Sequence, residues 1–220
     1  MKQIFISGTD TNCGKTYVTC KILEWLLDQN RTITGIKPIA SGCVLDKNGQ
    51  SFNSDIELLQ HWNAKCHKTQ LKICMWQFQP AIAPHIAAAA AKQTLSAAEV
   101  AKFCQQPQFH TDYLVVEGAG GIMVPLNAHE TWIDVLKIMQ IPMILIVGLR
   151  VGCINHALLT ELALRHYAIT CLGWIANCLD DKMLALDNTI ATLQEKMIMP
   201  LLTTITYNGS GIKWSSAFTL

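Results

Sequence analysis

Residues 8–16 read Gly8-Thr9-Asp10-Thr11-Asn12-Cys13-Gly14-Lys15-Thr16, and they stand between an apolar run at 3–7 and a stretch of helical spacing from Lys15 to Asp28. In that stretch Val18, Ile22, Trp25 and Leu26 share one face. A loop of this kind, between a strand and a helix, aims backbone N–H groups and a helix N-terminus at one anionic site. Gly14 lets the backbone approach phosphates, Lys15 supplies a point charge for the β- and γ-phosphates, and the Thr16 hydroxyl can ligate Mg2+. The context makes 8–16 a phosphate-binding loop (P-loop). The usual first glycine of such a loop falls at position 9; Thr9 holds that place, with Gly8 one residue earlier.

The rest of the chain alternates in the same way. Runs at 32–36, 113–116, 143–147 and 170–176 are apolar enough to be buried strands. Between them, helices are expected from the Asn53-Ser54-Asp55 cap through Trp62, from the Ser96 and Glu99 capping pair toward Cys104, over Trp132–Met139, over 155–165 and over 188–196. The alanine-rich 86–91 segment reads as a tight helix face, and after Pro200 the pattern decays. Strands apolar throughout, alternating with helices, make a mostly parallel sheet covered by helices on both faces. Joined to the loop at 8–16, this is an α/β chain of the P-loop NTPase fold. With no internal repeat and no polar linker, residues 1–220 are expected to form a single domain.

Composition excludes several classes. Half of the residues are hydrophobic and 15% are charged, which is not the balance of a disordered chain. A net charge of +1 without a basic run argues against nucleic acid as a partner. The longest apolar stretches, such as 141–149, are far short of the ~20 residues needed to cross a bilayer. The N-terminus lacks the long apolar segment of a signal peptide. A cytoplasmic protein with no membrane partner is expected. The nine cysteines include no CxxC pair, so they read as free core thiols, and no zinc site is expected.

In a parallel sheet the chemistry lies just beyond the carboxyl ends of the strands. Lys37, locked by Pro38, is a second cation at the same sheet edge as the P-loop and suits charge developing on a transferred phosphoryl group. Asp55 opens a helix. Glu117 ends the strand at 113–117 and is followed by Gly118-Ala119-Gly120-Gly121, which leaves room for a phosphate or substrate against bare backbone. Thr16, Asp55 and Glu117 are hard oxygen ligands of the type Mg2+ takes. The segment from Arg150 to Ala157 opens a helix after the 143–147 strand and forms a second anion-binding terminus. Two such termini suit a nucleotide and a separate carboxylate. His85 and His156 read as structural. Asn177, at a strand end, is placed to read a purine edge; Asn177-Cys178-Leu179-Asp180 lacks the lysine of the guanine-binding signature.

Six motifs occur here in one order: Gly-Thr-Asp-Thr-x-x-Gly-Lys-Thr at 8–16, Lys-Pro-Ile-Ala-Ser-Gly at 37–42, Asn-Ser-Asp at 53–55, Pro-His at 84–85, Val-Glu-Gly-Ala-Gly-Gly at 116–121 and Gly-Cys-Ile-Asn-His-Ala at 152–157. In that combination the chain resembles the dethiobiotin synthetase family over roughly residues 1–202. The resemblance implies an ATP- and Mg2+-dependent enzyme that closes the ureido ring of dethiobiotin from 7,8-diaminononanoate and CO2, working as a homodimer. It implies that Asn12, Cys13, Gly14, Lys15, Thr16 and Tyr17 wrap the triphosphate, with Asp55, Glu117, Gly118, Ala119 and Gly120 beside it and Asn177 and Cys178 at the adenine. Thr16, Asp55 and Glu117 would hold Mg2+. Lys15 and Lys37 would flank the reacting phosphoryl group, with Lys37 the principal catalytic residue. Thr11, Lys37 and Ser41 would contact the diamine or its carbamate. Val151, Gly152, Cys153, Ile154 and Asn155 would bind the substrate's tail carboxylate from the neighbouring subunit. The chain departs from the family at Asn12 (commonly acidic), Ala83 (frequently serine), Arg150 (usually lysine) and in the 203–220 tail, which does not match the adenine-covering segment.

Three other P-loop readings compete. A cobyrinate-type amidating synthetase often carries a glutamine-hydrolysing domain, for which this chain is too short. A ParA-like partitioning ATPase has a signature lysine early in the loop, where this chain has Asp10. A GTPase fails at Cys178, where its signature needs lysine.

Overall fold

The computed structural model describes residues 1–47, 49, 51–209 and 214. The elements in chain order are β1 (Lys2–Gly8), α1 (Lys15–Asp28), β2 (Ile33–Ile36), β3 (Ile39–Ser41), β4 (Val44–Leu45), β5 (Ser51–Phe52), α2 (Ser54–Asn63), β6 (Trp76–Phe78), α3 (Pro84–Ala90), α4 (Ala97–Cys104), β7 (Tyr113–Gly121), α5 (Trp132–Met139), β8 (Met143–Leu149), α6 (Cys153–His166), β9 (Cys171–Cys178), α7 (Leu186–Lys196) and β10 (Leu201–Ile205). Six strands form one sheet in the order β10-β9-β8-β1-β7-β2, and every neighbouring pair is parallel. Two small two-stranded sheets, β3-β6 and β4-β5, stand beside it.

The topology follows from crossover handedness. From β1 the chain passes through α1 toward the β2 edge; from β7 it passes through α5, α6 and α7 toward the β10 edge. Right-handed connections running in opposite directions put their helices on opposite faces. Each face of the sheet is therefore covered, and the central strands are apolar on both sides: Phe5, Ile6, Val115, Val116, Ile144 and Ile146 are fully buried. Burying one such side chain contributes roughly 1.5–3 kcal/mol.

Local signals set the helix starts. Asn53 Oδ1 accepts from Asp55 N (3.1 Å) and Ile56 N (3.3 Å), and Ser96 Oγ accepts from Glu99 N (3.3 Å). Thr131 and Asp134 form a capping box that starts α5 at Trp132. A cap of this kind is worth ~1 kcal/mol. Trp132 then packs on Phe5 with ring centroids 5.4 Å apart, and its Nε1 donates to Ala119 O at 3.0 Å. That bond ties α5 to the glycine-rich end of β7.

Two expectations about the chain need correction. The strand beginning at Tyr113 does not end near Glu117 but continues through Gly121: the register with β1 shifts after the Ile6–Glu117 pair, and Gly121 pairs again with Gly8. The chain beyond Pro200 is not patternless, since β10 extends the sheet by pairing with β9. It is an edge strand with Thr203 and Thr204 at its centre, so neither a continuous apolar run nor strict alternation marks it.

Candidate functional site

A cleft of about 840 Å3 opens where the sheet edge carries the loop after β1, the segment after β2 and the end of β7. Thr11, Asn12, Gly14, Lys15, Thr16 and Tyr17 line one side, Lys37, Ser41, Asp55 and Ala81–Pro84 another, and Glu117, Ala119 and Gly120 the floor. Residues 151–155, Asn177 and Cys178 are not among its lining.

The P-loop residues follow the last turn of β1 into α1. Gly14 caps α1 in the left-handed region, φ 85°, a conformation that costs a residue with a Cβ about 1–2 kcal/mol. A Cβ there would also lie 2.1 Å from Asn177 Nδ2. Cys13 is buried in the core, so it offers the site its backbone rather than its thiol. Lys15 turns back over the loop, and its Nζ donates to Asp10 O at 2.8 Å. Tyr17 is partly exposed, and its hydroxyl donates to Gly209 O at 3.1 Å, bringing Gly209 beside α1. Trp214 reaches the same helix, with its ring 5.1 Å from that of Trp25. The remainder of the divergent tail, 210–213 and 215–220, lies outside the described residues.

The centre of the site is a charge cluster assembled from four elements. Lys37 leaves the end of β2, held there by its N–H donating to Ile73 O at 3.0 Å and by Pro38. It is only 7% exposed. Its Nζ donates to Asp55 Oδ2 and to Glu117 Oε1, both at 2.6 Å. Glu117 Oε1 also accepts from Thr16 Oγ1 at 2.7 Å. Glu117 is fully buried, and its second oxygen, Oε2, has no hydrogen-bond partner among the described residues. Asp55, in the first turn of α2, keeps 37% of its side chain exposed. Burial by itself would depress the Lys37 ammonium; the facing carboxylates of Glu117 and Asp55 outweigh it and hold the proton more tightly than on an ordinary lysine. Cys20 lines the cleft behind this cluster, and burial, then Glu117 and Asp55, push its thiol up to about 12.

Mg2+ takes hard oxygen ligands and keeps several waters and substrate oxygens in its shell. Thr16, Asp55 and Glu117 fit that chemistry, and the unpartnered buried Oε2 of Glu117 is an acceptor in want of a cation. No group of three or more His, Cys, Asp or Glu that could hold a metal occurs among the described residues. Three protein oxygens of this kind suit an ion that takes phosphate and water as its other ligands. The Ser41 hydroxyl is likewise buried at the cleft without a partner among the described residues.

The remaining expected residues sit apart from the cleft. Asn177 is the penultimate residue of β9, is 3% exposed, and donates from Nδ2 to Cys13 O at 2.9 Å. Cys178 is buried, which raises its thiol. Val151 is 99% exposed and Asn155 is exposed, whereas Cys153 is buried. α6 begins with no side-chain cap, which leaves first-turn N–H groups available to an anion. Sequence reasoning missed one structural tie: Arg150, following β8, forms an ion pair with Asp10 of the P-loop. Nothing local connects residues 140 positions apart. All nine cysteines are free and seven are buried. Among the described residues no helix is long and apolar enough to cross a membrane.

A family profile described as an AAA domain matches residues 2–211. A curated relative from Legionella pneumophila (strain Corby), named ATP-dependent dethiobiotin synthetase BioD, is 45% identical over 210 residues, covering 95% of each chain. A protein of the same name from Cellvibrio japonicus (strain Ueda107) is 41% identical over 206 residues, covering 91% of this chain and 87% of that one. Among solved structures, the septum site-determining protein MinD complexed with Mg-ADP from Pyrococcus horikoshii superposes with a TM-score of 0.55 at 17% identity, covering 93% of this chain and 81% of that chain. The cell division protein FtsY from Thermotoga maritima gives 0.56 at 15% identity, covering 98% and 65%. At such identities these two share the fold alone.

Proposed function

The chain belongs to the ATP-dependent dethiobiotin synthetase family, and from that premise we propose that it closes the ureido ring of dethiobiotin, in biotin biosynthesis, from 7,8-diaminononanoate, CO2 and ATP. The observation that carries the reading is the Thr16–Glu117–Lys37–Asp55 cluster at the mouth of the P-loop, in a chain 45% identical to a dethiobiotin synthetase along 95% of its length.

The reaction balances with protein groups that only position and neutralise. An amine of the substrate adds to CO2, a C–N bond forms, and loss of a proton leaves a carbamate. A carbamate oxygen attacks the γ-phosphorus of ATP; the bond to the β-phosphate oxygen breaks, giving ADP and a carbamic-phosphoric anhydride. The second amine attacks the carbamoyl carbon, the C–O bond to phosphate breaks, the ring closes and a proton is lost. Phosphoryl transfer of this kind depends on positioning and on charge stabilisation. Gly14 and its neighbours wrap the triphosphate, Lys15 swings from Asp10 O to the phosphates, and Lys37 faces the transferring group. Ser41 and Thr11 contact the diamine or its carbamate. Asn177 and Cys178 stand on the adenine side. Thr16, Asp55 and Glu117 would hold Mg2+, which would supply neutralisation of phosphate charge. No side-chain nucleophile is required.

The same reading makes the protein a cytoplasmic homodimer of single-domain subunits. Residues 151–155 do not line their own subunit's cleft, and α6 beside them exposes Leu159 and Leu162. Both facts support a segment that completes the partner's site, where the uncapped start of α6 meets the tail carboxylate of the substrate.

The test is a coupled assay of ATP turnover with and without 7,8-diaminononanoate and bicarbonate, with product identified by mass. Diamine and bicarbonate together should stimulate turnover and yield dethiobiotin. Folded protein that gives no ring-closed product with Mg-ATP overturns the assignment.

A further inference from the structure

We propose that Asn177 is a positioning residue for the P-loop, holding the Cys13–Gly14 peptide in its phosphate-binding orientation independently of any contact with a base. The Asn177 amide is buried, and its Nδ2 donates to Cys13 O at 2.9 Å. Among the described residues there is no cis peptide bond, and in a trans peptide the C=O and the following N–H point in opposite directions. Pinning Cys13 O against β9 therefore turns Gly14 N–H away from β9, and Gly14 lines the cleft. The peptide also rests on a fitted floor. Gly148 of β8 is the register partner of Asn177, and a Cβ there would lie 2.7 Å from Cys13 Cα. The loop is thus seated on two neighbouring strands, and the Asn177 amide is a polar anchor from them to Cys13. The inference rests on the P-loop part of the proposed function and not on the ring chemistry.

The clamp predicts a loss that follows the phosphates. Asn177→Leu keeps the branched heavy-atom skeleton and removes the donor; Asn177→Asp keeps the shape and sets a carboxylate against the Cys13 carbonyl. Calorimetric titration with Mg-ATP and with inorganic tripolyphosphate should show both ligands weakened by the same factor, about tenfold for Asn177→Leu, as expected for one lost hydrogen bond. The leucine variant should stay folded and melt roughly 2–12 °C below wild type, as expected for one unsatisfied buried carbonyl, while the Gly14 amide resonance moves. A loss confined to ATP, with tripolyphosphate bound as in wild type, overturns the proposal and leaves Asn177 as a base contact only. If neither variant folds, the wild-type protein still decides the matter. Tripolyphosphate should slow exchange of the Asn177 side-chain amide protons, and unchanged exchange overturns the clamp. Wild-type protein that binds neither ligand refutes the nucleotide assignment itself, whereas wild-type binding matched by both variants refutes this inference alone.

Discussion

Replacing Lys37 by methionine keeps the stem and removes the charge that two carboxylates share. Glu117 is fully buried, so water cannot take the place of the lost ammonium; Asp55, with 37% of its side chain exposed, can be rehydrated. The cost is therefore mainly that of stranding Glu117. Removing one partner of a buried ion pair costs ~3–5 kcal/mol. At the 2–4 °C per kcal/mol typical of a chain this long, Lys37→Met should melt roughly 6–20 °C below wild type. Adding Glu117→Gln to the same protein removes the stranded charge and should recover most of that loss. Turnover should fall by ~10²–10³, the loss typical of one group that stabilises charge in the transition state. Nucleotide should still bind, since the P-loop keeps its own contacts. The pH dependence has a definite sign. Lys37 is protonated more tightly when folded than its ordinary value of 10.5, so its contribution is full below that value and is lost as pH rises through the higher folded value. The stability that Lys37 contributes to the wild type should therefore persist through neutral pH and be lost only in strong alkali. The measurements are thermal unfolding across pH and steady-state turnover. A Lys37→Met protein that melts within a degree of wild type, or turns over normally, refutes the reasoning.

Glu117→Gln should sharply raise the Mg2+ concentration needed for half-maximal turnover; a titration that overlays wild type removes Glu117 from the metal's surroundings. Gly148→Ala puts a Cβ 2.7 Å from the backbone of Cys13, so the P-loop must shift, and turnover should drop roughly 10²-fold, as for a misplacement near 1 Å; unchanged kinetics would show that the loop tolerates displacement. Lys37→Ala mixed with Asn155→Trp tests the shared site. Each homodimer should be nearly inactive, but a heterodimer gathers both lesions into one of its two sites and leaves the other intact. Equal amounts with random pairing should regain about a quarter of wild-type activity; exchange verified by mass with no recovery would confine the site to one subunit.

The P-loop, the parallel sheet and the identities of Lys15, Thr16, Lys37, Asp55 and Glu117 were legible in the sequence because each is a short-range signal. The loop is nine residues of fixed spacing, α1 and α5 carry their periodicity within their own bounds, and Asn53 caps a helix that begins one residue later. What the chain does with those residues was decided by contacts the sequence holds far apart. Lys37 meets Glu117 across 80 positions, Thr16 meets Glu117 across 101, and Asn177 meets Cys13 across 164. β10 escaped notice because an edge strand needs only one neighbour, and its central threonines blur the apolar run. The sequence places Asn177 at a strand end, but that its amide donates to Cys13 follows only from the packing of β9 beneath the loop. Local spacing specifies which groups reach the sheet edge. Which of them pair depends on the order in which parallel strands stack side by side, and that order is set by crossovers and by burial of both sheet faces, not by anything within a few residues of the site.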